Sequence, residues 1–293
     1  MDAMADFLRQ MAKSNGIPLT HAALVLPSTE VFTRELVMPA MTEQQLLYNL
    51  PYEFRDYLTE EKNKYFFDYS MREVLRDESG HPTEMNLLAC ATLKSTVESY
   101  RAMLRRAGFR LRVLTPSECA YSAVLQAYYR RTRQEGRDLC VVNLGHSATF
   151  LYIYRGGHFA SRREIEVGMS DLEHLVADQC SVDIHVAHEY VRQNYNHVLE
   201  SEQARELYGH IAVEVVKAVN FFNYNNRERE LTQLCLCGGG SAIQPLYDTI
   251  ADTTGMTLHT SAELLGQRMS TEEPWMYLRA IGGVDLGIKG GLR

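Results

Sequence analysis

The stretch that decides the fold is LCVVNLGHSATFLYIYR, residues 139–155. It consists of two apolar runs separated by a short polar segment, which predicts two antiparallel strands joined by a tight turn. Asn143, Gly145, His146 and Ser147 supply the turn. A glycine and small hydroxyl residues at a hairpin tip leave backbone N–H groups free to face an anion. Taken alone, the segment is better explained as an ordinary hairpin.

A second stretch, LCLCGGGSAI at residues 234–243, strengthens the case for an anion site. It reads as a short apolar strand, then Gly238, Gly239 and Gly240, then Ser241 as the N-cap of a helix. Such a corner places N–H groups and a helix N-terminus beside a phosphate or a ribose. The corner is not a dinucleotide fingerprint, because its spacing differs from G-x-G-x-x-G and no βαβ unit opens it. It also lacks the lysine of a P-loop.

The two stretches, in this order, resemble the actin-like ATPase superfamily. There the hairpin is the second phosphate loop and the glycine corner is the adenosine motif. Within the superfamily the chain resembles the PilM family of type IV pilus assembly proteins and the related FtsA family of cell division. ALVLPSTEVFTRELVMPAMTEQQL and VGMSDL carry the resemblance beyond the two motifs. The resemblance implies an α/β, actin-like (ribonuclease H-like) fold of two lobes.

The order of predicted elements divides the chain into two halves that share a degenerate repeat. We expect a first lobe at 1–137, with a small inserted α/β domain at about 29–91. We expect a second lobe at 138–293, with a helical insertion at about 183–230 and a C-terminal helix from Pro274 to about Gly282. Further glycines then predict a frayed tail at Gly287, Gly290 and Gly291.

The first half lacks the three strands that open the second half. The resemblance implies a first phosphate loop near the N-terminus, with an Asp and glycines that hold Mg²⁺ and the β- and γ-phosphates. Residues 1–16 instead read as an amphipathic helix. We therefore expect the first lobe to be incomplete at its N-terminus and to lack that loop.

Bulk properties exclude several classes of protein. The 293 residues carry a net charge of −7, which argues against a general nucleic-acid or anionic-membrane binder. No apolar run approaches the roughly 20 residues that span a bilayer, and no signal peptide is evident. The six cysteines lie largely in apolar elements, which predicts reduced thiols and a cytoplasmic location. Cys235 and Cys237 share one face of a strand, but no further ligand pair accompanies them, so no metal site is predicted.

The resemblance implies a set of nucleotide-contacting positions. They are Asn143, Gly145, His146, Ser147, Thr149, Glu189, Arg192, Gly238, Gly239, Gly240 and Ser241. Asn143 stands where many actin-like ATPases carry an Asp, and a neutral amide cannot act as a charged partner for metal-bound water; FtsA-like proteins also carry Asn there. Glu189 and Arg192 are explained as well by an ordinary i,i+3 ion pair. His146 is more often an exposed turn residue.

Glu118 follows Ser117 at a predicted helix start and matches the hinge position that orients water in related ATPases. It is our candidate catalytic residue, although a first-turn acid favoured by the helix dipole explains it slightly better without the first phosphate loop. ATP and Mg²⁺ are the cofactors that the resemblance implies. Because half of the phosphate clamp is missing, we expect ATP binding to be weak or absent, on the order of 100 μM or poorer.

The function implied by the resemblance is that of a cytoplasmic adaptor of a type IV pilus or a related secretion or competence machine. Such a protein binds the short cytoplasmic tail of an inner-membrane partner and links it to cytoplasmic motor ATPases. It reaches the membrane through that partner, without inserting itself. The alternative is an ATPase or phosphotransferase, which needs an acidic base beside two phosphate loops. An FtsA-like division protein would carry a C-terminal amphipathic helix, and GVDLGIKGGLR is too short and glycine-rich to form one.

Overall fold

The computed structural model describes residues 2–134, 136–227, 230–266 and 272–290. The helices α1–α10 are, in chain order, Asp2–Ser14, Glu43–Glu53, Lys94–Ala107, Ser117–Thr132, Met169–Cys180, Ile184–Gln193, Glu202–Asn225, Gln244–Thr254, Ser261–Leu265 and Leu278–Gly290. The strands β1–β10 are His21–Leu26, Phe32–Pro39, Tyr65–Arg76, Pro82–Leu93, Arg110–Pro116, Asp138–Leu144, Thr149–Arg155, His158–Ile165, Gln233–Cys237 and Thr257–His259.

Contacts within the chain define two compact units. The first unit is discontinuous and consists of the residues up to Ala123 and those from Arg279 onward. The second unit is Val124–Leu278. The boundary falls inside α4. The predicted lobes, 1–137 and 138–293, are defined by the family fold. The two units are defined by contacts and have other boundaries, so the lobe boundaries stay a prediction.

The second unit is built on a mixed sheet with the strand order β10-β9-β6-β7-β8. The central strand β6 pairs antiparallel with β7, as the hairpin pattern predicts, and parallel with β9. Val141 and Val142 of β6 are completely buried, which explains the continuous apolar run of that strand. Because β6 and β9 are parallel neighbours, their carboxyl ends meet at the same edge of the sheet, and this is where ligands bind in open α/β sheets.

The two helices predicted for segment 183–230 are present in the second unit as α6 and α7, and their status as an insertion stays a prediction. Both helices begin at a side-chain cap, because Asp183 accepts from the N–H of His185 and Ser201 accepts from the N–H of Ala204. The apolar stripe of α7, which includes Ile211 and Val215, is buried against the sheet. The longest helix therefore covers the sheet that carries the hairpin.

Segment 29–91 of the first unit forms an antiparallel sheet with the order β2-β4-β3, covered on one face by α2. The predicted capping box opens α2, because the Thr42 hydroxyl accepts from the N–H of Gln45 while the Gln45 side chain accepts from the N–H of Thr42. The predicted end of the helix near residue 58 is wrong. The helix ends at Glu53, two residues after Pro51 removes a ladder hydrogen bond.

The remaining part of the first unit contains a two-stranded parallel sheet of β1 and β5. The predicted N-terminal helix is present as α1, and it packs on α3 through Ala5 together with Leu104 and Ala107. Leu104 and Ala107 lie near the C-terminal end of α3, where Gly108 caps the helix as predicted with a φ of 99°.

The prediction of a C-terminal helix ending near Gly282 is wrong, as is that of a frayed tail. A short turn, Pro274–Met276, precedes α10, which continues through Gly287 to Gly290; Gly291 lies outside the described residues. Glycines lower helix propensity, but here they permit close packing. A Cβ on Gly282 would lie 2.0 Å from the carbonyl oxygen of Ala120. Tertiary packing therefore stabilises a helix that the local sequence disfavours.

In the part of the chain that the structure describes, no helix combines the length and the hydropathy needed to cross a membrane.

Candidate functional site

The tip of the β6–β7 hairpin presents unused backbone donors. The N–H of Gly145 is held inside the turn, donating to the carbonyls of Asn143 at 3.0 Å and Ala148 at 3.2 Å. The N–H groups of His146 and Ser147 donate to no acceptor within the described residues. Successive N–H groups that point outward at a turn form a concavity that favours an anion. The tip therefore offers two backbone donors, and the phosphate contact predicted there stays a prediction.

Two backbone hydrogen bonds connect the start of α5 to the hairpin tip. The N–H of Met169 donates to the Gly145 carbonyl at 3.0 Å, and the N–H of Ser170 donates to the His146 carbonyl at 2.8 Å. A Cβ on Gly168 would lie 2.3 Å from the His146 carbonyl oxygen, so the two backbones touch without intervening side chains. Only glycine permits this approach. Our site prediction did not include Gly168, although it ends the predicted strand-to-helix connection in VGMSDL.

Thr149 occupies a different role from the other hairpin residues. It is completely buried, and its hydroxyl donates to the carbonyl of Val167 at 2.9 Å. This bond ties the start of β7 to the segment that leads into α5. The hydroxyl thus holds the loop in place, and the nucleotide contact predicted for Thr149 stays a prediction.

The glycine corner lies directly beside the hairpin, because Cys237 of β9 is the register partner of Asn143 of β6. A Cβ on Gly238 would lie 2.4 Å from Asn143 Oδ1 and 2.6 Å from the Leu144 carbonyl oxygen. A Cβ on Gly240 would lie 2.8 Å from Leu144 Cβ. The structure therefore brings together the two motifs that are well separated in the sequence.

Gly239 differs from its two neighbours. A Cβ built there would meet no atom within 4 Å, so this residue faces open space. The N–H groups of Gly239 and Gly240 also have no acceptor among the described residues. Gly239 is the residue of the corner that a ligand can approach.

The prediction that Ser241 caps the following helix is wrong. Its hydroxyl donates to the Gly238 carbonyl at 2.7 Å, inside a short turn at Gly239–Ala242. Helix α8 starts after Ile243, with Pro245 in its first turn, where the fixed φ of proline suits the helix. The serine therefore tightens the glycine corner, and proline marks the start of the helix.

Glu189 and Arg192 lie on α6 and pair with each other. Nε and Nη2 of Arg192 donate to Glu189 Oε2 at 3.0 and 2.7 Å, and these bonds hold the pKa of Glu189 below its usual value. Among the described residues no hydrogen bond or ion pair links either side chain to the hairpin or the glycine corner. The two side chains therefore form the surface ion pair that their i,i+3 spacing predicts.

A buried carboxylate near the hairpin was missed by the sequence analysis. Glu173 of α5 is 7% exposed, and its Oε1 lies 2.8 Å from Nδ1 of His188 and 3.8 Å from Nδ1 of His146. It thereby joins α6 to the hairpin tip. One feature of the sequence could have predicted this buried carboxylate. Glu173 lies beside Leu172 and Val176 on the inward face of the predicted helix, where an acidic residue is unusual.

Glu118 belongs to the first unit, where it opens α4. Its side chain is fully buried and accepts a hydrogen bond from Thr33 Oγ1 at 3.0 Å. This contact ties α4 to strand β2. A role in orienting water stays a prediction.

The cysteines are free thiols, and Cys140, Cys235 and Cys237 are buried. Burial raises the pKa of Cys235 well above its usual value, because a thiolate would lose its hydration. Within the described residues no three His, Cys, Asp or Glu side chains converge in a group that could hold a metal ion.

A comparison with models of known families shows to which family of the superfamily the chain belongs. The profile of the family described as type IV pilus assembly protein PilM matches residues 1–273. The chain belongs to the PilM family. Its membership makes it a type IV pilus assembly protein with an actin-like fold, as the sequence predicted.

The fold of the chain is similar to that of a solved structure. The PilM-family chain is similar to a chain in a "PilM-PilN type IV pilus biogenesis complex", with a TM-score of 0.78 and 18% identity, over 99% of this chain and 85% of that chain. It is also similar to the ethanolamine utilization protein EutJ from Carboxydothermus hydrogenoformans, with a TM-score of 0.48 and 14% identity, over 67% and 62% of the two chains. An archaeal actin homologue gives a TM-score of 0.45 and 14% identity over 62% and 56%. No curated protein matches the chain.

Proposed function

We propose that this PilM-family chain is a cytoplasmic adaptor that binds the short cytoplasmic tail of an inner-membrane pilus protein. Family membership and the likeness to the PilM chain of a PilM–PilN complex support the proposal. By analogy the partner is a PilN-like protein, and the chain reaches the inner membrane through it. The adaptor role also implies a contact with cytoplasmic motor ATPases.

The observation that carries this proposal is the face of the β2-β4-β3 sheet that points away from α2. Strand alternation directs Leu36 and Leu87 into the core beneath α2 and leaves Val37 on the opposite face. Val37 is 66% exposed. An exposed β-branched residue on a sheet face offers an apolar contact for an extended peptide.

Two polar groups on the same face have no hydrogen-bond partner among the described residues. Asn86, the register partner of Val37, buries Oδ1 without a donor. Arg72 lies at a bulge in β3, next to Glu73, which is a register partner of Asn86. Its Nη2 is buried without an acceptor, and its Nη1 lies 2.5 Å from Oε1 of Glu35. Leaving such groups unpaired costs about 1–3 kcal/mol each. Both atoms are already buried, so a peptide on this face would contact the exposed side chain of Val37 and not these atoms.

The edge of the same sheet supports a peptide as the ligand. Strand β2 pairs with β4 on one side, and its other edge has no strand partner in the described part of the chain. An edge strand can pair with an added strand, which is a common mode of peptide recognition. The contact of Thr33 with Glu118 places the first turn of α4 beside this strand.

The test is titration calorimetry of the full chain with a synthetic peptide, the cytoplasmic tail of the PilN-like protein from the same source. We expect binding that is the same with and without Mg-ATP. Val37→Asp should weaken it at least tenfold, because a charge in an apolar contact is poorly solvated. The matched control is Val213→Asp, at a valine that is 43% exposed on α7 in the second unit. Equal affinities for the two variants would contradict the proposed face.

Nucleotide binding at the hairpin tip and the glycine corner is a second candidate function. The outward N–H groups of His146 and Ser147, together with the open space at Gly239, fit a phosphate and a ribose. Bound ATP would supply a transferable phosphoryl group, and these residues would bind and orient it. We expect a dissociation constant on the order of 100 μM or poorer. Turnover of ATP or a sugar, without binding of any membrane-protein tail, would favour an enzyme instead.

A further inference from the structure

We propose that a recess on the first unit binds an acidic segment of a second protein partner. The recess lies between the end of α3, the residues before β1 and the start of β5, and encloses about 700 Å³. Its lining includes Arg101, Arg105 and Arg110, with Leu19 and Phe109. All of these residues lie outside the inserted segment 29–91, so the site goes beyond the proposed binding of the membrane tail.

The charge of the recess is opposite to that of the whole protein. Its lining contains three arginines and no Asp or Glu, whereas the chain has a net charge of −7. Arg101 is paired with Glu98 at 2.5 Å. Arg105 and Arg110 have no carboxylate or other side-chain partner among the described residues. Two unpaired guanidinium groups in a concave surface attract anionic ligands and so raise the concentration of these ligands at the recess.

Helix stabilisation accounts for only part of this arginine cluster, because it applies to Arg105 but not to Arg110. A basic side chain in the last turn of a helix interacts favourably with the helix dipole, and both Arg105 and Arg106 occupy that turn of α3. Arg106 is also fixed by Asp2 at 2.7 Å and by Asp6 at 3.4 Å. Arg110 lies on a strand, outside the reach of the dipole. Arg105 and Arg110 are therefore available for a ligand.

The remaining lining of the recess includes the polar residues Thr20 and His21 and an apolar part that is locally fixed. Gly108 turns the chain with a φ of 99° at the end of α3, and a Cβ there would lie 3.1 Å from Leu19 Cδ1. Leu19 thus packs closely against the backbone of the turn, next to Phe109 and Leu111. Guanidinium groups beside an apolar surface suit a peptide in which carboxylates alternate with apolar side chains. The concave shape favours such a peptide over the flat surface of an anionic membrane.

The experiment is selection of a displayed random-peptide library on the full-length chain, with the double variant Arg105→Gln/Arg110→Gln used for counter-selection. We expect the selected peptides to be enriched in Asp and Glu next to Leu or Phe. The most enriched peptide is then synthesised with a fluorescent label and titrated by anisotropy. Its affinity should fall about tenfold in the double variant and should fall with added salt.

Arg205→Gln is the matched control, because Arg205 of α7 is exposed and has no side-chain partner among the described residues. It should leave the affinity unchanged, and all variants should retain the wild-type circular dichroism spectrum. Selected peptides without excess acids, or equal losses for Arg205→Gln and the double variant, would overturn the proposal. So would sedimentation of the wild type, but not the double variant, with phosphatidylserine vesicles when no selected peptide binds.

Discussion

Alanine at Gly238 and alanine at Gly239 should have very different effects on stability. At Gly238 the φ of 83° is unfavourable for a residue with a Cβ, which costs about 1–2 kcal/mol. The new methyl group would also lie 2.4 Å from Asn143 Oδ1 and 2.6 Å from the Leu144 carbonyl oxygen. Displacing these atoms costs about 1–3 kcal/mol more, as for other overpacked sites. The total for Gly238→Ala is about 2–5 kcal/mol.

At Gly239 the same methyl group meets no atom within 4 Å. Gly239→Ala should therefore change the free energy of unfolding by less than about 0.5 kcal/mol. Thermal unfolding followed by circular dichroism measures both variants. We expect a melting temperature about 5–15 °C lower for Gly238→Ala and unchanged within about 2 °C for Gly239→Ala. If both variants melt with the wild type, or both melt equally early, the packing derived for the glycine corner is wrong.

The Gly239 position also gives a clean test of nucleotide binding. Gly239→Leu should abolish any ATP binding while the protein stays folded, because the side chain would fill the open space. Gly145 is unsuitable for this test, since a Cβ there would lie 2.7 Å from the Ala148 carbonyl oxygen and would disrupt the turn itself. Calorimetry with Mg-ATP measures the outcome. Unaltered ATP affinity in Gly239→Leu would place the nucleotide elsewhere.

Glu173→Gln should lower the free energy of unfolding by about 1–2 kcal/mol, because a charged acceptor is removed from His188; a urea melt equal to that of the wild type would contradict this. Glu189→Gln, at an exposed ion pair, should change it by less than about 1 kcal/mol in the same assay. Burial raises the pKa of Cys90 and Cys119 to about 12. Folding therefore favours their neutral thiols, and their contribution to stability should be present below about pH 9 and lost as the pH rises towards 12; a melting temperature independent of pH above 9 would contradict this.

The sequence predicted the hairpin and the glycine corner because both depend on local signals. Alternating apolar residues fix strands β6 and β7, and glycine is needed where Gly238 adopts a positive φ. Their adjacency in space came only from the family resemblance, because the register of Asn143 with Cys237 is a property of the folded sheet. No periodicity in the sequence encodes such a pairing between distant strands.

The errors have two physical causes, which are competition inside a local turn and packing between segments that are separate in the sequence. Ser241 has the local chemistry of an N-cap, but its hydroxyl is drawn to the Gly238 carbonyl within the turn. Gly287 would end an isolated helix, yet α10 continues because its glycines fit against β5, where Val113 Cγ2 lies 3.3 Å from a Cβ on Gly287. Glu173 was overlooked because its partner His188 lies on the next helix. For Gly287 and Glu173 the deciding neighbour lies on another element, whereas for Ser241 it lies within the same turn.

The packing of α10 also has a consequence for the order of folding during synthesis. Gly283 of α10 packs against Val25 of β1, and Gly282 packs against Ala120. Val124–Leu278 is synthesised before the rest of α10, so these contacts can form only after the second unit has been made. The first unit therefore cannot complete its packing until the chain has been made through α10. Because contacts between such distant segments close slowly, the β1–β5 sheet stays without the cover of α10 until synthesis of the chain is nearly finished.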